Sequence, residues 1–273
     1  MMQATLRETL RFEGIGLHTG AHASVEVRPA AAGEGIVLAL GATRFPATVD
    51  YVIDTSRATV LGFNGATVST TEHLLSALFA MGVSNAEVVV DGPEIPARDG
   101  SAAEFVAAIV QGGIETQSEP RAVLELQAPC WVRGKDRMIA AFPSTEFRVR
   151  FIADFPSPIG TQYFDGVIDA QQYPHELAGA RTFAYLHEIE ALWARGLGRG
   201  GSLENALVFT PEGPMQPLRW PDEAVRHKVL DLVGDLALLG AWPHCEIVAV
   251  KSGHQLHAEI ARALRAQLPV PLA

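Results

Sequence analysis

The sequence is poor in cysteine, in positive charge and in long apolar runs, and each shortage removes a class of function. Its two cysteines, Cys130 and Cys245, lie far apart and form no Cys-x-x-Cys pattern. Neither a disulfide framework nor a thiolate metal or redox motif is expected, and the cytoplasm is the expected location. Lysine and arginine number 21 against 31 aspartate and glutamate, a formal charge of −10. That balance argues against a nucleic-acid partner, and an anionic ligand would need a local basic pocket. No uncharged apolar run reaches the ~18 residues of a spanning helix, so no transmembrane segment is expected. The start, Met1 to Glu13, mixes charges into its apolar residues and lacks a signal-peptide core.

What is present is a folded globular chain of 273 residues, 48% hydrophobic and 19% charged, long enough for one large or two ordinary domains. It is organised around Arg226-His-Lys-Val-Leu-Asp-Leu-Val-Gly-Asp235. Pro221-Asp-Glu supplies a helix start and Gly240 with Pro243 a stop, which predicts a helix over about 224–239. His227, Asp231 and Asp235 then fall on one face, at steps of four residues. The other faces carry Val225, Val229, Leu230, Leu232, Val233, Leu236, Leu238 and Leu239, so the helix is expected to be largely buried. Unpaired charge there would be costly and needs compensation. For an isolated His-x-x-x-Asp, the ordinary reading is a hydrogen-bonded pair in the core.

Along the chain, the first 68 residues read as twisted sheet. Strands are predicted at 23–28, 36–40, 48–53 and 58–63, and Gly14-Ile-Gly-Leu-His-Thr-Gly20 reads as a turn in which His18 is an ordinary turn residue. A helix follows over 70–81, where Ser69-x-x-Glu72 fits a capping box and makes Glu72 a capping carboxylate unless other residues give it a role. Residues 85–91 read as a strand, 101–110 as a helix and 112–120 as a domain linker. Strands at 122–126, 130–133, 137–142 and 148–153 open the second half, followed by helices near 175–180 and 185–195 and a strand at 205–209. Gly196, Gly198 and Gly201 match G-x-G-x-x-G, but they lie after a helix and before a strand, the reverse of what pyrophosphate binding requires.

The halves repeat weakly. In each, a helix ends at a glycine (Gly82, Gly240), a strand follows, and a glycine (Gly100, Gly253) opens another helix. The expected class is α+β: two related domains, 1–116 and 121–273, of helices layered on sheets, with a βαβ-type insert at about 183–210 and the site at their interface. Pseudo-symmetry would bring His73 and His227 together. With Asp231 they make a zinc set of two imidazoles and one carboxylate with a fourth position open. Glu72 is then the adjacent base. His254, at a helix N-terminus with Asp235 as a possible partner, is a candidate acid.

Several motifs in order carry a resemblance that covers nearly the whole chain: Gly14 to Gly20, Thr71-Glu-His-Leu74, Glu94-Ile-Pro-Ala-Arg-Asp-Gly-Ser-Ala102, Ala180-Arg-Thr-Phe183, Gly200-Gly-Ser202, Arg226 to Asp231 with Gly234-Asp235, and Ser252-Gly-His254. The chain resembles the UDP-3-O-acyl-N-acetylglucosamine deacetylases, zinc amidases of lipid A biosynthesis. The resemblance implies one catalytic Zn2+ held by His73, His227 and Asp231, Glu72 as general base, and His254 as proton donor oriented by Asp235. It implies Thr182 as the hydroxyl facing the oxyanion, Lys228 as a substrate-binding cation and Phe183 as a lining residue of the acyl passage, with an acylated UDP-N-acetylglucosamine as substrate; a monomer is expected. Thr71, Phe155-Pro-Ser-Pro158 and Ala224 depart from the family's usual residues, and the second of these lies where the nucleotide would bind. A zinc amidohydrolase for a related N-acetylated sugar, and a non-catalytic paralogue that binds acyl-UDP-sugar, are the alternatives.

Overall fold

Strands with one dry face and one wet face build both halves. His22–Pro29 buries Ala23, Val25 and Val27, and Arg148–Asp154 buries Val149, Phe151 and Ala153, the period-two pattern that fixes which face meets the core. The computed structural model describes residues 1–268 and is α+β. Among these residues the helices are α1 (Glu72–Ala80), α2 (Ala103–Gly112), α3 (Tyr173–Glu176), α4 (Leu186–Ala194), α5 (Glu223–Ala237) and α6 (His254–Arg265).

The N-terminal sheet runs in the order Leu10–Ile15, His22–Pro29, Ala86–Asp91, Ile36–Leu40, Thr43–Pro46. The C-terminal sheet runs Cys130–Arg133, Met138–Pro143, Trp242–Val250, Arg148–Asp154, Thr161–Val167, with Val123–Glu125 added parallel to Trp242–Val250. Along each five-strand order the pairings are antiparallel, antiparallel, parallel, antiparallel. In both halves the central strand is preceded by a helix (α1, α5) and followed by another (α2, α6). One apolar core joins residues of both sheets and of α1, α2, α5 and α6. No helix among the described residues is long and apolar enough to cross a membrane.

Several segments differ from the sequence-based expectation. The predicted linker 112–120 contains the strand Ile114–Pro120, paired antiparallel with Met2–Leu6 and tied by Gln117 to Asn85 and to the Ala30 carbonyl. The strand predicted at 48–53 begins as a 3-10 turn, Val49–Tyr51. Near residue 175 the helix is the single turn α3. α5 starts one residue earlier and stops two earlier than predicted, because Leu238 and Leu239 leave the helix while remaining buried. In the insert, Phe183–Tyr185 pairs in parallel with Leu207–Thr210 across the crossover helix α4. The glycines 196–201 form a loop, not a phosphate cradle. A Cβ on Gly200 would stand 2.1 Å from the Gly16 carbonyl oxygen, so glycine there lets the insert dock on the Gly14–Gly20 turn.

Candidate active site

α1 and α5 cross closely because residue 234 has no side chain: a Cβ there would lie 2.1 Å from the Glu72 carbonyl oxygen. The crossing brings the His73 and His227 rings to 5.0 Å, edge to face. Asp231, one turn after His227, completes a cluster in which Oδ1 lies 3.4 Å from His227 Nε2 and 3.6 Å from His73 Nε2. Donors around a tetrahedral ion with bonds of about 2.0–2.2 Å stand roughly 3.3–3.6 Å apart, so both separations at Asp231 fit a zinc-sized cation, and all three donor atoms lie within 4.8 Å of one another. All three residues are buried. His227 Nδ1 must carry its ring proton, since it faces the Ala180 carbonyl oxygen at 3.0 Å, and its Nε2 is left with a lone pair for a metal. Burial pushes the His227 pKa down to about 4, which keeps the ring in this neutral form. The Ala180 segment is itself anchored. Arg181 Nε donates to the fully buried Glu223 carboxylate at 2.8 Å, and Glu223 also accepts from the Arg219 amide. The acid read from sequence as part of the α5 start therefore anchors the segment that orients His227.

Asp231 is shared between two neighbours. Its Oδ1 faces the imidazoles, while Oδ2 accepts from Lys228 Nζ at 2.5 Å. Burial opposes the charged form of Asp231, yet His227 and Lys228 outweigh it and hold the carboxyl well below its usual range. Lys228 stays a cation for the reciprocal reason, burial being offset by Asp231.

On the other side of Asp231 lies a second buried group. Glu72 is the first residue of α1, and the expected capping box is absent: α1 has no side-chain N-cap bond, and Thr70 sits at φ +57°. Glu72 Oε2 accepts instead from the Thr59 amide at 3.1 Å. Burial raises the Glu72 pKa to about 7 against the opposing pull of His254 and His73, a value suited to accepting a proton near neutrality. His254 Nε2 stands 3.9 Å from both Glu72 Oε1 and Asp231 Oδ2, while its Nδ1–H donates to Asp235 Oδ2 at 2.8 Å. Burial disfavours the imidazolium, but Asp235, Asp231 and Glu72 overcome it and push His254 up to about 9. Asp235 is likewise burdened by burial and held at about 2 by His254 and His257.

These groups open into a cleft of about 550 Å³ that also exposes Thr182, Phe183 and Lys228. Thr182 is held by backbone bonds to Gly100 and Leu207, each 2.8 Å. An adjoining cavity of about 310 Å³, lined by Phe183, Ile189, Leu192, Trp193, Leu203 and Val208, lies beneath the insert. A third hollow, of about 360 Å³, gathers Lys135, Arg137, Lys228 and Lys251 beside Phe155, together with Asp136 and Asp154, which both pair with Lys251; four cations against two carboxylates leave it net positive in an acidic protein. The residues expected from sequence thus meet in one place. Four others were not expected. His18, read as a turn residue, lines the cleft with its Nδ1 buried and unpartnered among the described residues. Thr59 and His257 bond to Asp235, and Ser252 bonds to His257 behind it. His18 and Ser252 lay within motifs that carry the family resemblance, His257 lay three residues beyond His254 on one helix face, and Thr59 left no signal.

A buried pair of imidazoles and a carboxylate, with a carboxylate base and a second histidine beside the open side, defines a candidate metal-assisted hydrolase. Comparison with known sequences is more specific. The UDP-3-O-acyl N-acetylglycosamine deacetylase family profile matches residues 3–266, and the chain belongs to that family. Relatives named UDP-3-O-acyl-N-acetylglucosamine deacetylase include one from Phenylobacterium zucineum, 45% identical over 98% of this chain and 94% of its own length. Another, from a Nostoc species, is 42% identical over 97% and 99%, and one from Myxococcus xanthus is 41% identical over 95% and 85%.

Proposed function

We propose that this chain hydrolyses the N-acetyl group of a UDP-3-O-acyl-N-acetylglucosamine, releasing acetate and the free amine in lipid A biosynthesis, with one zinc ion held by His73, His227 and Asp231. The observation that carries the metal assignment is the donor set, with separations of 3.4 and 3.6 Å and His227 oriented by Ala180. Bound there, zinc supplies Lewis acidity, making a water nucleophilic at neutral pH and polarising a carbonyl. Glu72 takes the proton of the attacking water. Thr182 donates its hydroxyl to the oxygen on which negative charge develops. His254, held by Asp235, gives a proton to the departing nitrogen as the C–N bond breaks, and acetate leaves.

The basic hollow around Arg137, Lys228 and Lys251 supports binding of the diphosphate and uridine, with Phe155 offering an aromatic face. The apolar cavity under the insert supports placement of the acyl chain, with Phe183 at its entrance. The identical strand order of the two sheets supports reading 1–116 and 121–273 as two copies of one domain. All named site residues come from one chain, so a monomer suffices, and a nucleotide-sugar substrate with two free thiols in the protein fits a cytoplasmic location. The test is acetate release from a series of acyl-UDP-N-acetylglucosamines, with and without chelator. Release that survives complete metal removal, or that ignores the nucleotide, overturns the assignment.

A further inference from the structure

The proton side of the site contains a buried histidine that the mechanism above leaves idle. His257 is fully buried, and both of its ring nitrogens are engaged. Nδ1 lies 2.8 Å from Asp235 Oδ2, the same oxygen that His254 Nδ1 meets at 2.8 Å, and Nε2 lies 2.9 Å from Ser252 Oγ. Asp235 Oδ1 is taken by the Thr59 hydroxyl. A carboxylate can only accept, so both Nδ1 atoms carry protons. Burial lowers the His257 pKa despite Asp235, which favours the neutral ring and has the Ser252 hydroxyl donating to Nε2.

Asp235 therefore accepts three side-chain hydrogen bonds that fix its plane. Turning the carboxylate to follow a moving His254 would break the Thr59 and His257 bonds together. The alternative reading of Asp235, His254 and His257 as a second metal site fits less well. Both imidazoles approach one carboxylate oxygen at hydrogen-bond distance through protonated nitrogens.

We infer that His257 is a positioning residue for the reaction: with Ser252 behind it, it clamps Asp235 so that His254 Nε2 stays aimed into the cleft between Glu72 and Asp231. This rests on the reading of His254 as proton donor. Small displacements of a reacting group can cost about 10²-fold in rate, which sets the expected scale.

The experiment compares His257→Leu, which removes the clamp, with His257→Asn, whose amide can still donate to Asp235, in the wild-type and Asp235→Asn backgrounds. His257→Leu is expected to lower kcat about 10- to 100-fold with KM and zinc content unchanged, and His257→Asn to recover most of the loss. In the Asp235→Asn background His257→Leu should add less than about twofold, because residues acting through one another are not additive. Independent, multiplicative losses would overturn the clamp, as would unchanged kcat in His257→Leu or loss of zinc in His257→Asn. If His257→Leu does not fold, Ser252→Ala takes its place, with a kcat loss of about 2- to 10-fold expected and none contradicting the clamp. Asp235→Asn with wild-type kcat would instead sink the underlying proton-donor reading, and the clamp with it.

Discussion

α1 and α5 occupy the same place in two sheets of identical strand order, yet they contribute very different chemistry. α1 is nine residues long and spends its first two, Glu72 and His73, on the site. α5 is fifteen residues long and places His227, Lys228, Asp231 and Asp235 along one side. The helices that follow differ in the same way: α6 begins with His254, whereas Ser101, next to the matching Gly100, bonds to Asp99, to the Ala103 amide and to Arg219, away from the metal-ligand cluster. A repeated backbone supplies the meeting of two helices, and the chemistry is distributed over it unequally. In the proposed mechanism the N-terminal half gives one ligand and the base, and the C-terminal half gives two ligands and the proton donor.

That asymmetry can be broken in measurable ways. The largest effect is expected for His227→Ala, which removes one of the three proposed metal donors; zinc affinity should fall by more than the 10- to 100-fold typical of losing an outer-shell partner, as read by competition with a chelator dye. Stoichiometric tight zinc in that variant would remove His227 from the ligand set. Next comes the crossing itself. An ordinary helical glycine replaced by alanine gains about 1 kcal/mol. Gly234→Ala should instead lose about 3 kcal/mol in denaturant unfolding, because its Cβ would meet the Glu72 carbonyl oxygen at 2.1 Å. A stabilised Gly234→Ala would mean the helices do not approach as described. The smallest effect belongs to the quiet half of the repeat. Ser101→Ala should cost about 1 kcal/mol of stability and leave zinc content and turnover unchanged, and a tenfold fall in turnover would show that the N-terminal copy does more than assigned.

Much of this was legible in the sequence because it is local or periodic. The line of His227, Asp231 and Asp235 follows from helical spacing, and the burial of α5 from the apolar residues on its other faces. The meeting of His73 with His227 followed from the repeat of helix, glycine, strand and glycine. Illegible features depend on contacts between distant segments. Thr59 reaches Asp235 across 176 residues, and the strand Ile114–Pro120 finds its partner at the opposite end of its half, in Met2–Leu6. The capping box at Ser69 failed for a different reason. Thr70 turns into the left-handed region and its hydroxyl donates to the buried Glu94, which also accepts from the amides of His18 and Thr19. A carboxylate behind the turn reshapes the helix start and leaves Glu72 facing the cleft.

The division of labour between base and ligand within α1 is the central claim, and Glu72→Ala tests it most directly through zinc content and acetate release measured on one preparation. The predicted result is one zinc per chain, as in wild type, with turnover lowered by about 10²- to 10⁴-fold. Turnover at the wild-type level would contradict the account, and so would loss of the metal.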